Sequence, residues 1–202
     1  MNVRAALPSV LVLLLASAAW GQQVGGTGEN RPELITEPYA YVSDQGRFKV
    51  TWPGGCGELV RRDRIENPEA DLPLQIQVFN VYCDRDRQHG VGSSVTVLWN
   101  LQGEDGGLPG PEQVVPRMEN QLKTLGVVIA KQRPIRRDLA DGTRIEGLEI
   151  LATEPEGPGE AWMRGLVHGG DVYILAAWNI NGGLFTAPEY VDFFNSFEPL
   201  VE

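Results

Sequence analysis

Polar and apolar residues alternate along much of this chain. In RFKVTW, Arg47 to Trp52, one side carries Phe48, Val50 and Trp52 and the other Arg47, Lys49 and Thr51. A period of two is the signature of a half-buried strand, and Pro53-Gly54-Gly55 ends it. LQIQVFNVYC, Leu74 to Cys83, predicts a second strand that buries Leu74, Ile76 and Val78 and becomes apolar on both faces at Phe79 and Val81. SSVTVLW, Ser93 to Trp99, is β-branched and aromatic and predicts a third. Val127 to Ala130, Thr143 to Thr153, Ala161 to His168 and Asp171 to Trp178 continue the series, with turns at Asp141-Gly142 and Gly169-Gly170. The proline- and glycine-rich EPEGPGE separates two of these strands.

Two stretches follow helical spacing. In GPEQVVPRMENQLKTLG, Val115, Met118, Leu122 and Leu125 fall on one face, Pro111 suits an early helical position, and Gly126 is a stop. Pro116 places the expected start near itself, since a proline is tolerated only in the first turn. Near the C-terminus, Thr186 and Glu189 have capping-box spacing, with Pro188 between them. Tyr190, Val191, Phe193, Phe194 and Phe197 carry the apolar load that follows. Strands joined by short turns, with helices set apart from them, predict an α+β fold with a mainly antiparallel β-sheet and two principal helices.

The order of elements carries a resemblance. FKVTWP near the start, a mid-chain helix, the paired strands of WMRGLVHGGDVYILAAW and the closing FFNSF, Phe193 to Phe197, resemble the PsbP-like α/β/α sandwich superfamily, which includes DcrB-like envelope proteins. FFNSF is similar to the family's closing F-x-x-S-F, and Arg164 ahead of Gly170-Asp171-Val172-Tyr173 resembles its strand, turn and "vY" pair. The resemblance spans about residues 45 to 198. It implies the sandwich fold and non-enzymatic work, in which such proteins assemble, stabilise or bind other proteins. It transfers no site residues.

The N-terminus changes the compartment. MNVRAALPSVLVLLLASAAWGQQ has a positive Arg4, an apolar run over Val10 to Ala16 and small residues before Gly21 and Gln22. This is the pattern of a secretory signal peptide cleaved between those two residues, and the run is too short and interrupted to span a bilayer. The expected organisation is a signal over residues 1–21, a leader over 22–38, and one domain over 39–202. The expected location is secreted or periplasmic, with no integral membrane segment after cleavage.

Charge narrows the partners. The formal charge is −10, and the basic clusters Arg61-Arg62-Arg64 and Arg133-Arg136-Arg137 read as solvated. Nucleic-acid affinity comes largely from Lys and Arg against phosphates, so no nucleic acid is expected. The expected partner is another envelope or secreted protein.

Candidate chemistry concentrates in NVYCDRDRQHGVG, Asn80 to Gly92. The chain has two cysteines, Cys56 and Cys83, and an even count in an oxidising compartment predicts a disulfide. The chain-entropy model gives a bridge over that separation about 3.6 kcal/mol. A Cys–His nucleophile would need Cys83 as a thiolate beside His89 or His168, which a bridge forecloses. Asp84, Asp86 and Gln88 start like a calcium loop, but its sixth and twelfth positions hold His89 and Val95 instead of Gly and Glu. Two distant histidines leave no set of zinc ligands, and neither a G-x-S-x-G nor a phosphate loop occurs. Glu154, Glu156 and Glu160 lie in the Pro/Gly loop and read as solvated. No catalytic, cofactor or metal residues are therefore assigned. Trp52, Trp99, Trp162 and Trp178 fall on strands and predict aromatic core, with an exposed aromatic strip for a glycan or a partner protein as the alternative. The expected class is a non-enzymatic binding or assembly protein of the cell envelope, with an envelope hydrolase or a small-ligand carrier as alternatives.

Overall fold

The computed structural model describes residues 37–55, 59–66, 76–86, 90–99, 110–139 and 142–200. The predicted signal peptide with its cleavage site at Gly21 and Gln22, most of the leader, and Cys56 and His89 lie outside the described residues.

Among the described residues ten strands and two helices follow one another: β1 (Tyr39–Ser43), β2 (Phe48–Trp52), β3 (Leu59–Glu66), β4 (Ile76–Asp86), β5 (Val91–Trp99), α1 (Pro111–Leu125), β6 (Val128–Asp138), β7 (Arg144–Thr153), β8 (Glu160–His168), β9 (Asp171–Asn179), α2 (Pro188–Ser196) and β10 (Glu198–Pro199). They build an antiparallel seven-stranded sheet of order β3-β4-β5-β9-β8-β7-β6 and a three-stranded sheet of order β1-β2-β10. The fold is α+β and mainly antiparallel, as the alternation predicts.

Alternation along the central strands divides the core in two. Phe79, Val81, Val95, Val97, Trp162, Tyr173 and Leu175 face a layer made by β2, α2 and the short 3-10 turn Leu184–Thr186. Val78, Leu98, Ile150, Met163, Val172 and Ile174 face α1, which buries Val114, Met118 and Leu122 against them. Layers of helix, sheet, then helix with small sheet result. Gly165 lets α1 lie close on β8: a Cβ there would overlap Val114 Cγ1 and sit 2.6 Å from Met118 Sδ.

Several local expectations change. α1 begins at Pro111, and Pro116 sits exposed in its second turn. The helix tolerates it because its ring points to solvent while Val114, rather than Val115, leads the buried face. The capping box does not form. The cap of α2 is Ala187, with no side-chain bond, and Pro188 takes the first helical position. The Thr186 hydroxyl instead bonds back to the Gly183 carbonyl, closing the 3-10 turn. The Arg61-Arg62-Arg64 cluster lies within β3, paired along β4, and Arg133-Arg136-Arg137 lies within β6, paired along β7. Pro134 is compatible with that strand because β6 forms the outer edge of its sheet.

Candidate functional site

The closing FFNSF segment ties the layers together. Phe193 packs edge-on to Trp52. Phe194 stacks on Trp162 with ring centroids 4.3 Å apart, and Phe197 lies between Phe48 and Tyr173. The Ser196 hydroxyl accepts the Thr51 amide of β2 at 2.7 Å and donates to the Phe193 carbonyl. Strand β10 then pairs with β2, Glu198 opposite Lys49. Of the strand tryptophans, Trp52 and Trp162 are buried, while Trp99 and Trp178 are half-buried.

A carboxylate node lies beneath this segment. Glu149 on β7 is 1% exposed. Arg164 on β8 donates to it from Nη2 at 2.6 Å and from Nε at 3.2 Å. Arg133 on β6 donates from Nε at 2.6 Å. Burial pushes the Glu149 carboxyl up, but the hydrogen bonds and charge of Arg164, with the Arg133 bond, outweigh it and hold the group below the ordinary range. Arg164 Nη1 also donates to the Phe194 carbonyl at 2.6 Å, and its guanidinium lies over the Trp162 and Phe194 rings. Arg137 donates to the Asn195 and Phe197 carbonyls. Two arginines thus satisfy carbonyls at the C-terminal end of α2, where the helix dipole favours cations.

A second node fixes the β1–β2 turn. Arg47 has φ +52°, uncommon outside glycine, and its guanidinium holds Asp171 at 2.5 Å. The Arg47 carbonyl accepts the Leu200 amide at 2.8 Å and the Tyr173 hydroxyl at 3.4 Å. Burial pushes the Asp171 carboxyl up, against the opposing pull of Arg47, Tyr173 and His168. Burial likewise pushes the Tyr173 phenol up.

Chemically, Glu149 is an anion pinned between two guanidiniums, and Asp171 is a carboxylate that anchors the β1–β2 turn through Arg47. Each joins one layer to another. Glu154 and Glu156 are exposed, and Glu160 accepts the Phe185 amide at 3.2 Å, so these three do not converge. Cys83 faces the core beside Val81. Its register partner is Leu59, three residues after Cys56. Among the described residues, no three His, Cys, Asp or Glu side chains gather as metal ligands, and no helix is long and apolar enough to cross a membrane.

The outer border of the large sheet is different in character. Every residue from Val128 to Pro134 on β6 is exposed, on both faces of the strand. Val128 at 50% and Ile129 at 41% are two of the three large apolar side chains most open to solvent among the described residues. Basic residues follow at 131, 133, 136 and 137. The apolar run predicts a strand only as far as Ala130. The pairing of Ile135 with Gly147 continues the register, and the apolar Ile135 between charges is the signal that could have extended it.

Among the described residues the fold and its nodes define an antiparallel-sheet α/β/α sandwich with a basic, exposed strand at one end of its large sheet. No protein-family model matches the chain, and no curated protein matches its sequence. Among solved structures it is similar to the solution structure of cyanobacterial PsbP (CyanoP) from Synechocystis sp. PCC 6803. That match has 15% identity and a TM-score of 0.49, and covers 88% of this chain and 98% of that one.

Proposed function

We propose that this chain is an exported, soluble, non-enzymatic binding or assembly protein of the cell envelope. In this reading residues 1–21 are a cleaved signal, residues 39–202 form one domain, Cys56 and Cys83 are bridged, and the partner is another envelope or secreted protein. The observation that carries the binding reading is β6. Seven consecutive exposed residues, two of them large and apolar, lie on a strand whose inner edge pairs with β7 on both sides of one bulge. Exposed apolar side chains on a rigid element suit contact with another macromolecule. The buried carboxylates favour the same reading, because Glu149 and Asp171 are engaged in holding layers together.

The test is crosslinking in the native host with a photoreactive residue placed at Ile129, Val42 or Lys123, followed by mass spectrometry. One or two reproducible envelope partners are expected. An empty result at all three positions, with the protein exported and folded, overturns the binding reading.

A further inference from the structure

The side of β6 that faces α2 has a charge imbalance. Residues directly opposite one another in an antiparallel pair share a face. Lys131 opposes Leu151, Arg133 opposes Glu149, Ile135 opposes Gly147 and Arg137 opposes Ile145. Leu151, Ile135 and Ile145 belong to the α2-side core, so Lys131, Arg133, Ile135 and Arg137 line that face in alternation. Arg164 adds a fourth cation. Glu149 is shared by two of these arginines, and Glu198, the carboxylate that acts on Arg137, is held by Lys49 at 2.8 Å. Five cations therefore stand against two carboxylates and the carbonyl end of α2, in a chain whose formal charge is −10. Arg137 and Arg164 also repel each other across the helix end.

We infer that the β6 edge is a docking strip for an extended acidic segment of another protein, one with carboxylates at alternate positions and an apolar residue opposite Ile135. This deepens the binding reading and rests on it. From Lys131 to Arg137 the strip runs about 20 Å at strand rise, too long for a small oxyanion and matched by an extended polypeptide. Opposite charges facing each other across strands stabilise pairing, and like charges oppose it.

The same features select against a second copy of this chain. Antiparallel pairing of two β6 strands about Pro134 would set Lys131 of each against Arg137 of the other. Pro134 also removes one outward donor, and the bulge between Ile129 and Lys131 interrupts the ladder. Lys, Pro and bulges are the means by which sheet edges avoid self-association. An acidic strand reverses the sign of the charge term and leaves Val128 and Ile129 available for apolar contact.

The probe is a synthetic peptide of about twelve residues that alternates Glu with Thr and Val, long enough to span an ordinary strand. Its Lys-for-Glu counterpart and phosphatidylglycerol vesicles are titrated in parallel against the full exported chain. The acidic peptide is expected to bind and to weaken about tenfold between about 20 and 300 mM salt. Lys131→Glu is expected to weaken it about tenfold, through one attractive pair turned repulsive. Lys123→Glu, the same charge change on α1, is expected to leave affinity within about twofold. Arg133→Gln is the second variant, since Arg164 still holds Glu149 and the fold survives. Equal losses in the Lys123 and Lys131 variants, equal binding of the Lys peptide, no binding, or binding to vesicles alone would each overturn the docking strip. Partners captured from Val42 or Lys123 but never from Ile129 would also overturn it while leaving the binding function standing. An acidic peptide of a captured partner, mapped by mass spectrometry to Ile129, supports it.

Discussion

Replacing Arg164 with Met keeps much of the side-chain volume and removes the cation that holds Glu149. The carboxylate would remain 1% exposed with Arg133 as its partner, and the Arg133 side chain is 55% exposed. Breaking a buried pair from one side costs about 3–5 kcal/mol, because an uncompensated charge stays behind. Arg133 reduces that cost, while the lost bond to the Phe194 carbonyl adds about 1 kcal/mol. A loss of about 3 kcal/mol follows, or about 6–12 °C in Tm for a domain of this size. Arg133→Met should cost no more than about 1 kcal/mol, as exposed pairs do. Urea unfolding followed by tryptophan fluorescence measures both, and acidity supplies the sign. In the native protein the Glu149 carboxyl is depressed, so its contribution is present at neutral pH and is lost as pH falls through the folded value. The Arg164→Met deficit should therefore shrink toward pH 4, and Glu149→Gln in the Arg164→Met background should recover part of the loss at pH 7. An Arg164→Met variant no less stable than Arg133→Met, or a deficit indifferent to pH, refutes the assignment.

Asp171 should behave with the opposite sign. Its carboxyl is raised, so its contribution is full at low pH and is lost as pH rises through the folded value. Relative to Asp171→Asn, the native protein should gain stability on acidification, as a pH series of urea midpoints would reveal. Gly165→Ala should cost about 1–3 kcal/mol by forcing α1 off β8, while Gly142→Ala, where no atom lies within 4 Å but φ is +85°, should cost about 1 kcal/mol through backbone strain. Ser196→Ala should cost about 1 kcal/mol by orphaning the Thr51 amide. For the proposed bridge, alkylation of the denatured, unreduced exported chain should add no label; two labels would remove the disulfide from the reading.

Much of this fold was legible as alternation. Phe48, Val50 and Trp52 are buried, with Lys49 exposed and Thr51 half-buried. Such strands lie under a cover on one face, and burial writes a period of two into their residues. The central strands were legible by their continuous apolar content. Strand β3 was not, because Arg61, Arg62 and Arg64 disguise its strand pattern. The far half of β6 was masked by Pro134 and its basic residues, which only an edge position tolerates. The nodes were illegible for another reason. Glu149, Arg164 and the Phe194 carbonyl come from three elements, and topology alone brings them together. FFNSF showed its apolar residues in sequence, but the hydroxyl of Ser196 acquires meaning only when β2 lies beside it.

The placement of FFNSF has a consequence for the order of events during synthesis. Phe193, Phe194 and Phe197 cover one face of a sheet whose strands are made earlier, and β10 pairs with β2 from the start of the described chain. A nascent polypeptide lacking these residues has a sheet with one bare apolar face, and β2 has only β1 beside it. The slow step of bringing distant segments together is thus deferred until Phe197 and β10 have left the ribosome. Until then one apolar face of the large sheet stays open to solvent and to any chaperone that binds apolar surface.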